Sequence, residues 1–328
     1  MRNCCGMLDE QLQALIDHLP NGLAMPAGDA VEAREAFRRI TVGVGENQPP
    51  ADLAATEDTT VPGAAGPQKA RIYRPHADGP TATYLFIHGG GFVVGDIESY
   101  DFQARTLAER MGVTVISVDY RLAPEDPWPA APDDAEAIAR WVLDNIDVLG
   151  GDPHRVLIGG DSAGGILAAV AAQTLIDEQP GFAGLIVMYP AIDLSRGYPS
   201  VEEHAAGPVL TAEALMLFGP GYVGKAIEQG VDLTDRRISP ICFDRLCDMP
   251  PTLVVTAEYD VLRDAGQAYA ARAAEAGGDV RSLHYPTLPH GFVALIPFSK
   301  ACDKAVDEVC AASVALLPKI GAGATSES

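Results

Sequence analysis

From about residue 56 the chain repeats one kind of segment: "KARIYRP", "TATYLFI", "VTVISVDY", "RVLIGG", "GLIVMYP", "TLVVTAEYD" and "VRSLHYP". Most are continuous apolar runs rather than alternating ones, the pattern of strands covered on both faces. Helical stretches separate many of them, among them "DDAEAIARWVLDNI", "GILAAVAAQTLIDE" and "AGQAYAARAAEAG". The last, from Ser299 to Leu317, puts Val306, Val309, Cys310, Val314 and Leu317 on one side. Strands alternating with helices predict an α/β fold: a mostly parallel central sheet with helices on both faces.

Two regions stand outside this rhythm. Residues 1–50 are polar-rich and helical, with Leu8, Leu12, Leu15, Ile16 and Leu19 in one apolar stripe. "LPNGLAMP" breaks the segment, and Val31 to Ile40 predicts a second helix. Residues 197–235 contain "GPVLTAEALMLFGPGYVG", helix-like but flanked by Gly and Pro. Such stripes can serve packing alone, or they can be the two halves of a lid over a pocket. The lid reading divides the chain into 1–50 as the N-terminal part of a helical cap, 51–196 as core, 197–235 as cap insertion, 236–320 as core, and 321–328 ("GAGATSES") as a flexible tail.

One junction carries chemistry. Gly160-Asp161-Ser162-Ala163-Gly164 fits G-x-S-x-G, follows the predicted strand "RVLI" and opens an alanine-rich helix, the context that gives the motif meaning. A serine at such a turn stands exposed at the carboxyl edge of the sheet. Gly160 and Gly164 must be small because strand and helix meet there, and Ala168, Ala169, Ala171 and Ala172 let the helix lie close. The start of that helix also points its positive dipole end at any developing anion.

A neutral hydroxyl needs a base. Of the seven histidines, His18, His76, His154 and His204 fall in lid, surface or turn contexts. His88 reads as shaping its own loop. His290 lies in "LPHGF", a loop beyond the last strand that can bring an imidazole over the serine; His284, inside "VRSLHYP", is the alternative base. The base needs an orienting carboxylate. "VVTAEYDVLRD" offers Glu258, Asp260 and Asp264, and Asp260, just past the strand end, is the choice. The chain order Ser162, Asp260, His290 is that of α/β hydrolases. Attack on a carbonyl also needs donors for the oxyanion, and losing one costs on the order of 10²–10³ in rate. Residues 88–92, "HGGGF", follow the strand "YLFI" and can turn backbone N–H groups into the cleft, with Ala163 adding another.

Bulk properties narrow the class. With 23 Lys+Arg against 45 Asp+Glu, the net charge of −22 opposes binding to nucleic acid or to anionic membrane surfaces. No apolar run approaches the ~18–20 residues of a membrane span. "MRNCCGMLDE" has no apolar core of a signal peptide, which predicts a cytoplasmic protein. The six cysteines (Cys4, Cys5, Cys242, Cys247, Cys302, Cys310) show no CxxC and no zinc spacing, so free thiols and no metal are expected.

Taken together, "HGGGF" (88–92), "DYRLAPE" (119–125), "GDSAGG" (160–165), "YPAID" (189–193), "YDVLRDAG" (259–266) and "HGF" (290–292) resemble the hormone-sensitive-lipase-like esterases, bacterial family IV, of the α/β-hydrolase superfamily. The resemblance implies a serine carboxylesterase with catalytic Ser162, Asp260 and His290. It also implies an oxyanion loop from Gly90 and Gly91, with Gly89 a further candidate, completed by Ala163, and a cap of an N-terminal segment plus an insertion after "YPAID". Asp161 reads as support for its neighbours. The implied substrates are small-molecule esters of short to medium acyl chains, with no cofactor. Dimerisation through the sheet edge near "VRSLHYP" is compatible with the family. Alternatives on the same triad are an amidase, arylformamidase or deacetylase, and, further off, a lyase acting on bulky phenolics or a ligand-binding receptor on this scaffold.

Overall fold

The computed structural model describes residues 7–19, 23 and 29–319. Cys4, Cys5, most of "LPNGLAMP" and the tail 321–328 lie outside the described residues. In chain order the elements are α1 (Glu10–His18), α2 (Ala30–Glu46), β1 (Ala55–Gly63), β2 (Gly66–Arg74), β3 (Thr81–Ile87), α3 (Asp101–Met111), β4 (Thr114–Val118), α4 (Ala130–Asp144), β5 (Gly151–Asp161) and α5 (Ala163–Thr174). There follow β6 (Gly184–Met188), α6 (Pro199–Glu203), α7 (Ala212–Glu228), β7 (Thr252–Tyr259), α8 (Arg263–Glu275), β8 (Val280–Pro289) and α9 (Lys300–Val314).

Among the described residues eight strands form one sheet in the order β1-β2-β4-β3-β5-β6-β7-β8. β1 and β2 pair antiparallel, as do β2 and β4; from β4 to β8 every pairing is parallel. Side-chain alternation splits the core in two. Leu85, Ile87, Ile116 and Ile158 meet the helices α4, α5 and α8, while Tyr84, Phe86, Val115 and Leu157 meet α3 and α9. Each fully buried Leu or Ile there contributes roughly 1.5–3 kcal/mol. The predicted α/β sheet with helices on both faces is therefore the fold of this chain.

Several elements differ from the sequence expectation. β1, "ATEDTTVPG", has no apolar run, since only Val61 along it is buried; it is a polar edge ribbon. α3 carries Ala104, Leu107, Ala108 and Met111 at helical spacing and stops on Gly112 at φ 62°, a left-handed stop that favours glycine. α2 runs to Glu46 rather than Ile40, started by Asp29, whose carboxylate accepts the Val31 and Glu32 N–H groups. β5 continues through both glycines to Asp161, so Ser162 follows the strand directly.

Candidate active site

Ser162 sits between β5 and α5 at φ 52° and ψ −120°, a conformation that non-glycine residues rarely adopt. The turn is pinned from several sides. The Ser162 N–H donates to the Met188 carbonyl at 2.8 Å, and the Ser162 carbonyl accepts from Gly165 N–H at 3.1 Å. A Cβ on Gly164 would lie 2.0 Å from the Ile87 carbonyl oxygen, and one on Gly160 2.3 Å from the same atom. Only glycine at both positions lets β5, β3 and α5 come this close.

His290 follows the end of β8, and its N–H donates to the Tyr259 carbonyl at 3.3 Å. Its Nε2 lies 3.1 Å from Ser162 Oγ, and its Nδ1 2.8 Å from Asp260 Oδ2. The other carboxylate oxygen of Asp260 accepts the Leu262 N–H at 2.9 Å. A carboxylate only accepts, so Nδ1 carries the proton and Nε2 presents its lone pair to the serine hydroxyl. Ser162, Asp260 and His290 are all buried. The Tyr189 ring packs edge-on against the imidazole at 4.9 Å and limits its rotation.

The alternatives are otherwise engaged. His284 bonds Thr256 Oγ1 and Glu258 Oε2, each at 3.0 Å. Glu258 also accepts from Arg263 at 2.7 Å, and Asp264 accepts from both Arg263 and the Ser200 N–H. His88 is buried, stacked on Tyr120 at 4.4 Å, and bonded through Nδ1 to the Gly89 carbonyl at 2.7 Å. Burial pulls its pKa down to about 4, so it is a neutral prop for the glycine loop. Glu203, His204 and Glu258 come close enough to hold a metal ion, but Arg263 already supplies their cation, reaching Glu203 and Glu258 at 2.7 Å and His204 at 3.0 Å.

The glycine loop needs one correction. The Gly89 N–H donates to Asp161 Oδ1 at 2.8 Å, so Gly89 leaves the set of oxyanion donors. The N–H groups of Gly90, Gly91 and Ala163 bond no other described residue. Gly90 and Gly91 have φ of 104° and 61°, and a Cβ on Gly90 would lie 2.0 Å from the Val94 carbonyl oxygen. Burial pushes the Asp161 carboxyl up to about 6, against the opposing pull of His290 and the Gly89 N–H. Two arginines of α2 hold the far end of the loop. Arg34 donates to the Val93 and Ala123 carbonyls at 2.6 and 2.7 Å and forks onto Glu125; Arg38 reaches Asp96 at 2.7 Å.

Cavities open on both sides of Ser162. One of about 320 Å³ is lined by Gly91, Phe92 and Ala163, with Leu215, Phe218 and Tyr222 of α7 opposite. Tyr222 stacks on Phe92 at 3.6 Å. The other, of about 140 Å³, is lined by Gly90 and His290, with Phe37, Ile40 and Thr41 of α2 opposite. Arg34, Phe218 and Tyr222 were not picked out by sequence reasoning. Apolar periodicity could have drawn attention to Phe218 and Tyr222, whereas nothing in the sequence separates Arg34 from any surface arginine.

Comparison with known proteins identifies the family and the fold. Residues 84–294 match the family model described as the alpha/beta hydrolase fold. The chain is 35% identical over 309 residues to the esterase LipI of Mycobacterium tuberculosis, covering 92% of each. It is 35% identical over 288 residues to the ethyl acetate hydrolase of Pseudomonas putida, covering 86% of this chain and 89% of that one. The structure of the hyperthermophilic esterase of the archaeon Pyrobaculum calidifontis superposes with a TM-score of 0.86 at 36% identity, covering 95% of this chain and 99% of that one.

Proposed function

The chain belongs to the alpha/beta hydrolase family, in its hormone-sensitive-lipase-like esterase branch, and from that premise we propose that it is a serine carboxylesterase working through Ser162, His290 and Asp260. The observation that carries the reading is the relay from Ser162 Oγ to His290 Nε2 at 3.1 Å and from His290 Nδ1 to Asp260 at 2.8 Å. Ser162 attacks the ester carbonyl while His290 takes its proton, and Asp260 steadies the imidazolium. The carbonyl oxygen turns toward the N–H groups of Gly90, Gly91 and Ala163, where its growing charge meets fixed donors. His290 returns the proton to the departing alcohol, leaving an acyl-enzyme. Water then enters and attacks the acyl carbon as His290 takes its proton; the bond to Ser162 Oγ breaks, His290 returns the proton to that oxygen, and the acid departs. Every step uses protein groups and water.

The two helical segments over the sheet act as the cap, α7 bounding one cavity and α2 the other. Their small volumes favour short to medium acyl chains. No helix among the described residues is long and apolar enough to cross a membrane. We place the enzyme in the cytoplasm on its thiols, Cys242, Cys247, Cys302 and Cys310 being unpaired among the described residues. The outward face of β8, the last strand of the sheet, is the edge open to a second copy.

The test is hydrolysis of p-nitrophenyl acetate, butyrate, octanoate and palmitate, with Ser162→Ala as control. The reading predicts rapid butyrate turnover, slow palmitate turnover, and none above background for the variant. A Ser162→Ala protein that keeps wild-type turnover would overturn the mechanism, and equal rates on butyrate and palmitate would overturn the chain-length claim.

A further inference from the structure

The glycine loop that carries the Gly90 and Gly91 donors is in direct contact with α7. Phe218 lies against it so closely that a Cβ on Gly91 would stand 2.5 Å from Phe218 Cδ2 and 2.9 Å from its Cγ. Gly91 has φ 61°, and the next residue, Phe92, has φ 64°, a left-handed conformation in which a phenylalanine is strained. Such strain persists only where the surroundings hold the residue in place. Tyr222, one turn beyond Phe218 on α7, provides that hold. Its ring stacks on Phe92 with centroids 3.6 Å apart and planes 6° from parallel, and both rings are buried.

Backbone bonds complete the connection. The Tyr222 carbonyl accepts the Trp128 N–H at 2.9 Å, and the Phe92 carbonyl accepts the Ala123 N–H at 2.9 Å. The segment from Ala123 to Trp128 therefore joins α7 to the glycine loop through the backbone, while the stacked rings join them through side chains. The Tyr222 hydroxyl is buried with no hydrogen-bond partner, so the ring, not the hydroxyl, does the holding. We propose that Phe218 and Tyr222 are positioning residues for ester hydrolysis, which keep Gly91 and Phe92 left-handed and so aim the Gly90 and Gly91 N–H groups at the oxyanion. Without the stack, Phe92 can relax to negative φ, and Gly91, having no Cβ, does not resist the change. The helix α7 then takes part in stabilising the transition state as well as walling a cavity. This rests on the roles given above to Ser162 and the glycine loop.

The experiment compares phenyl acetate with O-phenyl thionoacetate in wild type, Phe218→Leu, Tyr222→Leu and Tyr222→Phe. The two esters differ in one atom, and sulfur accepts hydrogen bonds poorly, so the ratio of their kcat/KM values reports how well the donors are aligned. The acyl chain is the same in both, so changes in cavity shape cancel in the ratio, as does any loss of folded fraction. Removing a whole donor costs on the order of 10²–10³ in rate. Misalignment in each leucine variant is predicted to lower the oxo-to-thiono ratio about tenfold. Tyr222→Phe, which retains the stack, is predicted to restore the ratio. On phenyl acetate itself the loss should fall on kcat, with KM little changed, because the donors act mainly in the transition state. A ratio that one leucine variant keeps removes that residue from the pair. A ratio that both keep, or a change confined to KM, overturns the positioning role while leaving the esterase reading intact. Failure of wild type to hydrolyse phenyl acetate removes the reading beneath it.

Discussion

At Ser162 the backbone is held at φ 52°, where a side chain is disfavoured, because only there does the hydroxyl stand clear of both strand and helix. Strain of this kind costs on the order of 1–3 kcal/mol, and glycine would relieve it. Ser162→Gly is therefore expected to melt at a higher temperature than Ser162→Ala, although glycine is ordinarily the less stable of the two; calorimetry on both inactive variants checks the order. Asp161 poses a second residue-scale question. Its carboxyl, raised by burial from an ordinary 3.8 to about 6, contributes stability below pH ~4 that is lost as the pH climbs through 6. The loss is on the order of 3 kcal/mol, since every tenfold gain in proton affinity corresponds to about 1.36 kcal/mol. Asp161→Asn keeps an acceptor for the Gly89 N–H without the charge. Its melting temperature relative to wild type should rise between about pH 4 and pH 8, and a flat difference would contradict the assignment.

At the scale of elements, the glycine loop proposed to hold the oxyanion is not self-supporting. Its glycines give it freedom, and α2 takes that freedom away through Arg34 and Arg38, which bind the segment from Val93 to Asp96. Arg34→Ala should reduce kcat on a short ester on the order of tenfold with little change in KM, since the loop donors act mainly in the transition state. A change confined to KM would mean that α2 only shapes the pocket. Much of this arrangement could be read from the chain. Continuous apolar strands, the glycines flanking Ser162, and a carboxylate and a histidine just beyond two strand ends each leave a local mark. β1 left none, because an edge ribbon with a single buried valine has no run to detect. Gly89 departs from expectation for a related reason. Three consecutive glycines look alike in sequence, and only the approach of Asp161 decides which N–H is already used. Arg34 gains its role from elements far away in the chain, and no spacing rule encodes that.

The whole molecule carries 45 acids against 23 bases, and the surface manages the excess by placing arginines among several carboxylates. Arg71 contacts Asp58, Glu98 and Asp101, and Arg263 contacts Glu203, Glu258 and Asp264. The remaining acids repel one another over distances comparable to the ~10 Å screening length of 0.1 M salt. Moderate NaCl should therefore raise the melting temperature. A fall would mean that the arginine pairs outweigh the general repulsion.

The central claim is that Ser162 is the nucleophile, activated by His290 in a single site per chain. It is tested most directly by treating the enzyme with a p-nitrophenyl alkylphosphonate and following released nitrophenol, residual activity and intact mass together. The account predicts one adduct per chain, located on Ser162, with activity lost in proportion to labelling and with labelling slowed by orders of magnitude in His290→Ala. Full activity in fully labelled protein, or an adduct on a different residue that accounts for the loss, would contradict it.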